Sequence, residues 1–177
     1  FDPDRDVVLG HEFCGEIVEL GPKTTGTHAV GDRVVSSPIV FTNSGFAVLG
    51  YSNDYYGAFG EYLALSESLL LPVANHLPTS IASLMEPLSV GVQYARIANV
   101  ANGEVPLVIG CGAIGLAVIA AMNAKGISPI IAADFSPLRR EMAIAMGATD
   151  VVDPREEDPV SKWSQCVSIG AGCVIIE

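Results

Sequence analysis

The sequence predicts two folded parts, a β-rich part followed by an α/β part built on a parallel sheet. Three observations predict this. Between residues 13 and 73 the apolar residues fall in short β-branched runs punctuated by Gly, Pro, Asn and Asp. From Pro78 the apolar spacing becomes helical. From Val105 onward short apolar runs alternate with longer helical ones, in the order strand, helix, strand, helix, strand, helix, strand. That alternation is the mark of a parallel sheet covered by crossover helices. The two parts divide the chain as domains 1–88 and 89–177.

In the first part, GEIVELG at 15–21 reads as a short strand ending in a Gly-Pro turn. GDRVVSSPIV at 31–40 opens on a Gly-Asp turn and continues as one strand. The stretch 36–53, rich in Ser, Asn, Gly and aromatics, reads as a loop or lobe, with further strands expected at 62–65 and 69–73. The segment 78–100 is helical, with Thr79 or Ser80 as its N-cap and Pro87 in the first turn of a second helix. In the second part, strands are predicted at 105–110, 128–134, 150–153 and 172–177, and helices at 113–125, 137–146 and 158–168.

Composition narrows the class. The chain has 9 Lys+Arg against 20 Asp+Glu, a formal net charge of -11. No basic run is present, which argues against a nucleic-acid partner. Four scattered cysteines without a C-x-x-C pair, and no signal peptide, point to a reducing, cytoplasmic setting. The stretch 105–124 carries no charged residue and has the length of a membrane span. Its three glycines split it into a strand and a helix, and a buried parallel strand with its covering helix also reads as one apolar run. No membrane partner is therefore expected.

Gly110, Gly112 and Gly115 form a G-x-G-x-x-G turn between the strand at 105–109 and a helix opening at Ala113 and Ile114. The first glycine makes the tight turn, the second lets backbone approach a pyrophosphate, and the third lets helix and strand pack closely. The helix start then offers N–H groups and partial positive charge to the phosphates. Asp134 ends the next strand, placed to accept hydrogen bonds from ribose hydroxyls. A carboxylate there would repel a 2′-phosphate by several kcal/mol at an effective dielectric constant of about 20, which favours NAD over NADP. Arg139 reads equally as a cap over the adenine ribose or as a surface arginine. The plainer reading of the whole motif is a glycine-rich turn with a casual acid beyond it; the strand and helix on either side favour the cofactor site.

GHE places His11 and Glu12 together, and MEPLSV sets Glu86 in an apolar stretch. An ionised carboxylate in such a context needs a partner or a metal. Stabilisation by the helix start beside Pro87 serves equally well on spacing alone.

The order GHE, GDRV, G-x-x-G-E-Y, EPLSV, G-x-G-x-x-G and D-x-S-x-x-R resembles the zinc-containing medium-chain dehydrogenases, most of all the sorbitol, butanediol and threonine dehydrogenase branch. The resemblance covers nearly the whole chain. It implies a GroES-like catalytic domain followed by a Rossmann NAD-binding domain. It implies His11 as a zinc ligand, Glu12 as a ligand or alternating ligand, and Glu86 at a ligand or near-ligand position. The implied activity is hydride transfer between an alcohol or polyol CH–OH group and NAD, by a homo-oligomer when full length. The family's cysteine ligand and proton relay are expected upstream of Phe1. The doubly wound sheet is expected to stop at its fourth strand of six, so the chain alone is expected to be inactive. The family's four-cysteine structural zinc cluster is absent from 36–57, so one zinc is expected. Two other readings stay open: a zinc-free reductase of enones or quinones, and a non-catalytic NAD-binding protein.

Overall fold

A computed structural model describes residues 2–168 and 170–177 and divides the chain into two compact units, Phe1–Glu86 and Pro87–Glu177. The first unit contains β1 (Gly15–Glu16), β2 (Arg33–Ser36), β3 (Ile39–Thr42), β4 (Gly45–Val48), a 3-10 turn (Glu67–Leu69), β5 (Leu70–Pro72) and the short helix α1 (Thr79–Ala82). The helix α2 (Met85–Ala98) begins at its end and runs on into the second unit.

β1, β2 and β5 form an antiparallel sheet with β2 central, Val34 lying opposite both Gly15 and Pro72. Val34, Val35 and Ser36 are all buried. The single strand expected over 31–40 is instead two strands in two sheets. Pro38 sits at the break, where its missing N–H cannot continue a ladder. The expected loop at 36–53 contains a hairpin, β3 with β4, in which Phe41 faces Phe46 across a tight Asn43–Ser44 turn and Gly45 takes φ +136°. The strand expected at 15–21 shortens to two residues, after which Ile17 pairs only with Gly31 and Asp32 at the turn. No strand forms at 62–65, where Tyr62 is exposed. α1 starts at Thr79, with Pro78 rather than Thr79 or Ser80 in the cap position.

The second unit continues from α2 with β6 (Glu104–Ile109), α3 (Ala113–Ala124), β7 (Ile131–Ala133), α4 (Pro137–Met146), β8 (Asp150–Val152), α5 (Pro159–Cys166) and β9 (Gly172–Ile176). Its four strands are parallel in the order β8-β7-β6-β9. The chain therefore winds outward from β6 to β8, then crosses back to place β9 on the other side of β6, as a doubly wound sheet does. Leu107, Val108, Ile131 and Ala132 are fully buried in the strands, and Val118, Ile119 and Met122 of α3 pack over one face. The uncharged stretch 105–124 is thus strand, turn and helix. Among the described residues no helix is long and apolar enough to cross a membrane.

Local signals set the helix ends. The Ser136 hydroxyl accepts from Arg139 N–H, Pro137 opens α4, and Gly147 closes it at φ +117°. Asp158 caps α5 by accepting from Ser161 N–H at 2.8 Å, with Pro159 next. Trp163 on α5 donates its indole N–H to the Val105 carbonyl at 3.0 Å, tying this helix to β6.

Candidate active site

The glycine turn follows β6 directly. Gly110 takes φ +91°, a conformation that favours glycine. A Cβ on Gly115 would collide with the Gly110 carbonyl oxygen, so only glycine lets α3 begin this close to the strand end. A Cβ on Gly112 would meet nothing, which leaves its backbone open to a ligand. Ala113 and Ile114 form the first turn of α3, whose leading N–H groups have no partner within the helix. A cavity of about 460 Å³ opens here, lined by the turn, Ile114, Tyr94 of α2 and Ile176 of β9. β6 and β9 flank the point where the strand order reverses, and in an open α/β sheet ligands settle at the carboxyl ends of strands at such a point.

Asp134 follows β7 and is 8% exposed. Its Oδ2 accepts from the Cys111 N–H at 2.8 Å, and its Oδ1 accepts from the Ser136 N–H at 2.7 Å. Burial alone would raise its pKa, but these two N–H donors, with Arg139 and Arg140 beyond them, outweigh burial and hold it below the usual carboxylate range. Arg139 is exposed and approaches to 3.9 Å. Arg140 is the better-anchored neighbour: one amino group donates to the Asp134 carbonyl at 2.7 Å and to Asp153 Oδ2 at 2.9 Å. Arg155 closes the cluster, donating to both Asp153 oxygens and to the Phe135 carbonyl. Arg155, which opens a charged run that reads from sequence as a solvated surface turn, is instead tied with Arg140 to Asp153. An acid ending the third strand of the second part, DVVD, was the available signal.

His11, Glu12 and Glu86 lie together in the first unit. One ligand-capable atom from each falls within 4.8 Å of the other two. Two features set their positions. The segment 8–10 is stapled to 57–59 by Gly57 N–H to Val8 O, Phe59 N–H to Leu9 O and Ala58 N–H to Gly10 O, at 2.8 to 3.0 Å. Gly10 takes φ +95° with the Phe59 ring against it, and the backbones of Gly50 and Gly57 pack on it too closely for any side chain. Glu86 is the second residue of α2, where the helix N-terminus favours negative charge. The structure therefore places Glu86 both at a helix start and beside His11. The His11 ring lies 5.7 Å from that of Tyr51, tilted by 42°. A cavity of about 380 Å³ opens beside them, lined by Leu9, His11, Glu12, Tyr51 and Phe59 with the glycines between.

Residues 2–75 match the alcohol dehydrogenase GroES-like domain family. Over 168 residues the chain is 37% identical to the (R,R)-butanediol dehydrogenase of Bacillus subtilis, a match covering 87% of this chain and 46% of the relative. It is 32% identical over 171 residues to the sorbitol dehydrogenase of the same organism, covering 90% of this chain and 48% of that one. Among solved structures, the 2R,3R-butanediol dehydrogenase of Bacillus subtilis superposes with a TM-score of 0.78 at 35% identity, covering 91% of this chain and 48% of the other. An Escherichia coli oxidoreductase of unknown specificity superposes with a TM-score of 0.82 at 29% identity, covering 93% and 51%. The chain spans about half the length of the curated relatives it matches. Its first part is an alcohol dehydrogenase GroES-like domain. Along the length it spans, the chain is similar to the butanediol, threonine and sorbitol dehydrogenases.

Proposed function

We propose that the protein is an NAD-linked dehydrogenase that moves a hydride between the CH–OH carbon of an alcohol or polyol and the nicotinamide, with one zinc held by His11, Glu12 and Glu86. The observation that carries this reading is the meeting of those three side chains from opposite ends of the first unit. One imidazole nitrogen and carboxylate oxygens are donors that zinc accepts, and a catalytic zinc takes three protein ligands and keeps one position open. When bound, the metal supplies Lewis acidity that lowers the pKa of an alcohol hydroxyl and eases departure of hydride from its carbon.

The remaining work falls to the chain. Gly110, Gly112, Ala113, Ile114 and Gly115 present backbone N–H groups to the cofactor's pyrophosphate. Asp134, already ionised and oriented by two N–H donors, keeps lone pairs for ribose hydroxyls and disfavours a 2′-phosphate. Arg139 lies over the same ribose. All four cysteines are free, in keeping with a cytoplasmic enzyme.

The test uses the full-length protein, with metal analysis and NADH formation from secondary alcohols and polyols. His11→Ala is expected to remove most of the zinc and lower kcat/KM at least about a hundredfold, the scale of losing a metal or an acid-base group. Activity without metal, or full metal content after His11→Ala, overturns the assignment.

A further inference from the structure

Asp134 is held from two sides. From the glycine turn, the Cys111 N–H grips its carboxylate. From the other side comes β8, which pairs with β7 away from β6 and ends next to Asp153. There Arg140 of α4 donates from a single amino nitrogen to the Asp134 carbonyl at 2.7 Å and to Asp153 Oδ2 at 2.9 Å. Arg155 repeats the arrangement one residue on. It donates to the Phe135 carbonyl and to both Asp153 oxygens, with its guanidinium 5.8 Å from the centre of the Phe135 ring. Two successive carbonyls of the loop after β7 are thus tied, each through an arginine, to one buried carboxylate. A peptide unit is planar, so fixing its carbonyl also fixes its N–H. The unit whose carbonyl Arg155 holds is the one whose N–H, on Ser136, donates to Asp134 Oδ1 at 2.7 Å. Asp153 therefore acts on the Asp134 carboxylate through Arg155 and the Phe135–Ser136 peptide, and on the Asp134 main chain through Arg140.

We infer that Arg140, Arg155 and Asp153 are positioning residues for cofactor selection, holding the Asp134 carboxylate in the orientation that accepts adenosine ribose hydroxyls and excludes a 2′-phosphate. The inference rests on the NAD reading and deepens it. A buried ion pair loses in desolvation much of what it gains in attraction, so net stability is a weak reason for this cluster. What it fixes is geometry. Each Asp134 oxygen accepts one N–H and keeps a lone pair for the ribose. An acceptor already locked in place gives up no rotamer freedom when its ligand arrives. With the clasp undone the carboxylate loses that orientation, while the glycine turn still offers its N–H groups to the pyrophosphate.

The experiment uses the full-length protein and three dinucleotides: NADH, NADPH, and NADH lacking the 2′-hydroxyl of its adenosine. Dissociation constants are measured by calorimetry. Wild type is expected to prefer NADH to the deoxy analogue by about tenfold, the worth of one hydrogen bond to a charged acceptor. Arg140→Met is expected to shrink that ratio to about threefold or less and to narrow the gap between NADH and NADPH. Arg140→Lys, which keeps one amino group for both oxygens, is expected to restore most of it. Arg155→Met, at a largely exposed side chain, decides the matter if Arg140→Met does not fold. A merely structural loss lowers the fraction of competent protein and moves all three dinucleotides alike, whereas loss of positioning moves their ratios. Ratios unchanged in the folded methionine variants overturn the inference. A wild type that binds none of the three refutes the NAD reading itself. One that binds NADH with ratios indifferent to Arg140 and Arg155 refutes the positioning role alone.

Discussion

Asp134 is bound into the glycine turn it faces. Its Oδ2 holds the N–H of Cys111, the residue between Gly110 and Gly112, so the carboxylate that would select the ribose also shapes the loop that would hold the phosphates. Removing it leaves two backbone donors without acceptors. Asp134→Ala is therefore expected to cost about 1–3 kcal/mol of stability, the usual penalty for orphaned buried donors, seen as a lower midpoint in urea or thermal unfolding. Asp134→Ser in the full-length enzyme is expected to narrow the preference for NAD over NADP. It should do so by removing both the acceptor for the ribose hydroxyls of NAD and the charge that repels the 2′-phosphate of NADP. Kinetic constants for the two cofactors check this, and a wild type that uses both equally well refutes the role. The same packing silences Cys111. Burial first, and the Asp134 charge second, push its thiol up to about 11. Alkylation of native protein at neutral pH should therefore leave Cys111 unmodified.

At the scale of elements, the close crossing of α2 and α3 depends on Gly91. A Cβ there would stand 2.5 Å from the Ala117 Cβ and 2.6 Å from its backbone. Gly91→Val is expected to destabilise the second unit by about 1–3 kcal/mol through overpacking, and a calorimetric melt measures it. How far each element was legible follows from what surrounds it. β6 and β7 are buried along their length and α4 carries Ser136, Pro137 and Gly147 at its ends, so their positions are readable from composition and caps alone. The β3–β4 hairpin was not, because Phe41 and Phe46 are exposed and alternation of burial, the usual strand signal, is absent there. The candidate site divides in the same way. The glycine turn and Asp134 are local patterns. The nearness of Glu86 to His11 depends on how the chain returns across the first unit, which no local spacing records; only the family resemblance suggested it. Arg140 and Asp153 were missed because their pairing joins a helix to a strand end that lie apart in sequence.

Over the whole molecule, ionised carboxylates act as fasteners. Asp153 is held well below its usual range by hydrogen bonds from Arg155 and then by the charges of Arg155 and Arg140. In Asp150, burial pushes upward, but hydrogen bonds from Cys166 and Lys162 prevail and lower it. Glu67 is lowered by the Thr25 N–H in the first unit. Asp134 adds to the set. Each group has a folded pKa below its unfolded value. Its contribution is therefore complete above the unfolded carboxylate pKa of about 4 and is lost as pH falls through the depressed folded value. Stability is expected to be level from neutrality to about pH 5 and to fall steeply below pH 4. Asp153→Asn should make that acid decline shallower while lowering stability at neutral pH. Urea midpoints measured across the acid range test both parts, and a decline of unchanged steepness in the variant would remove Asp153 from the account.

The tie between Trp163 and the Val105 carbonyl gives the chain a built-in optical reporter. Trp163 is the sole tryptophan of the sequence, and it belongs to the second unit. Its emission follows the loosening of α5 from β6, the strand that leads into the glycine turn, and carries no signal from the residues around His11. Tyr51, Tyr55, Tyr56 and Tyr62 all belong to the first unit, against Tyr94 alone in the second. Selective excitation of tryptophan and the absorbance of tyrosine therefore weight different halves of the same molecule. Melting curves that fail to coincide would reveal units that unfold separately, without a label or a substitution.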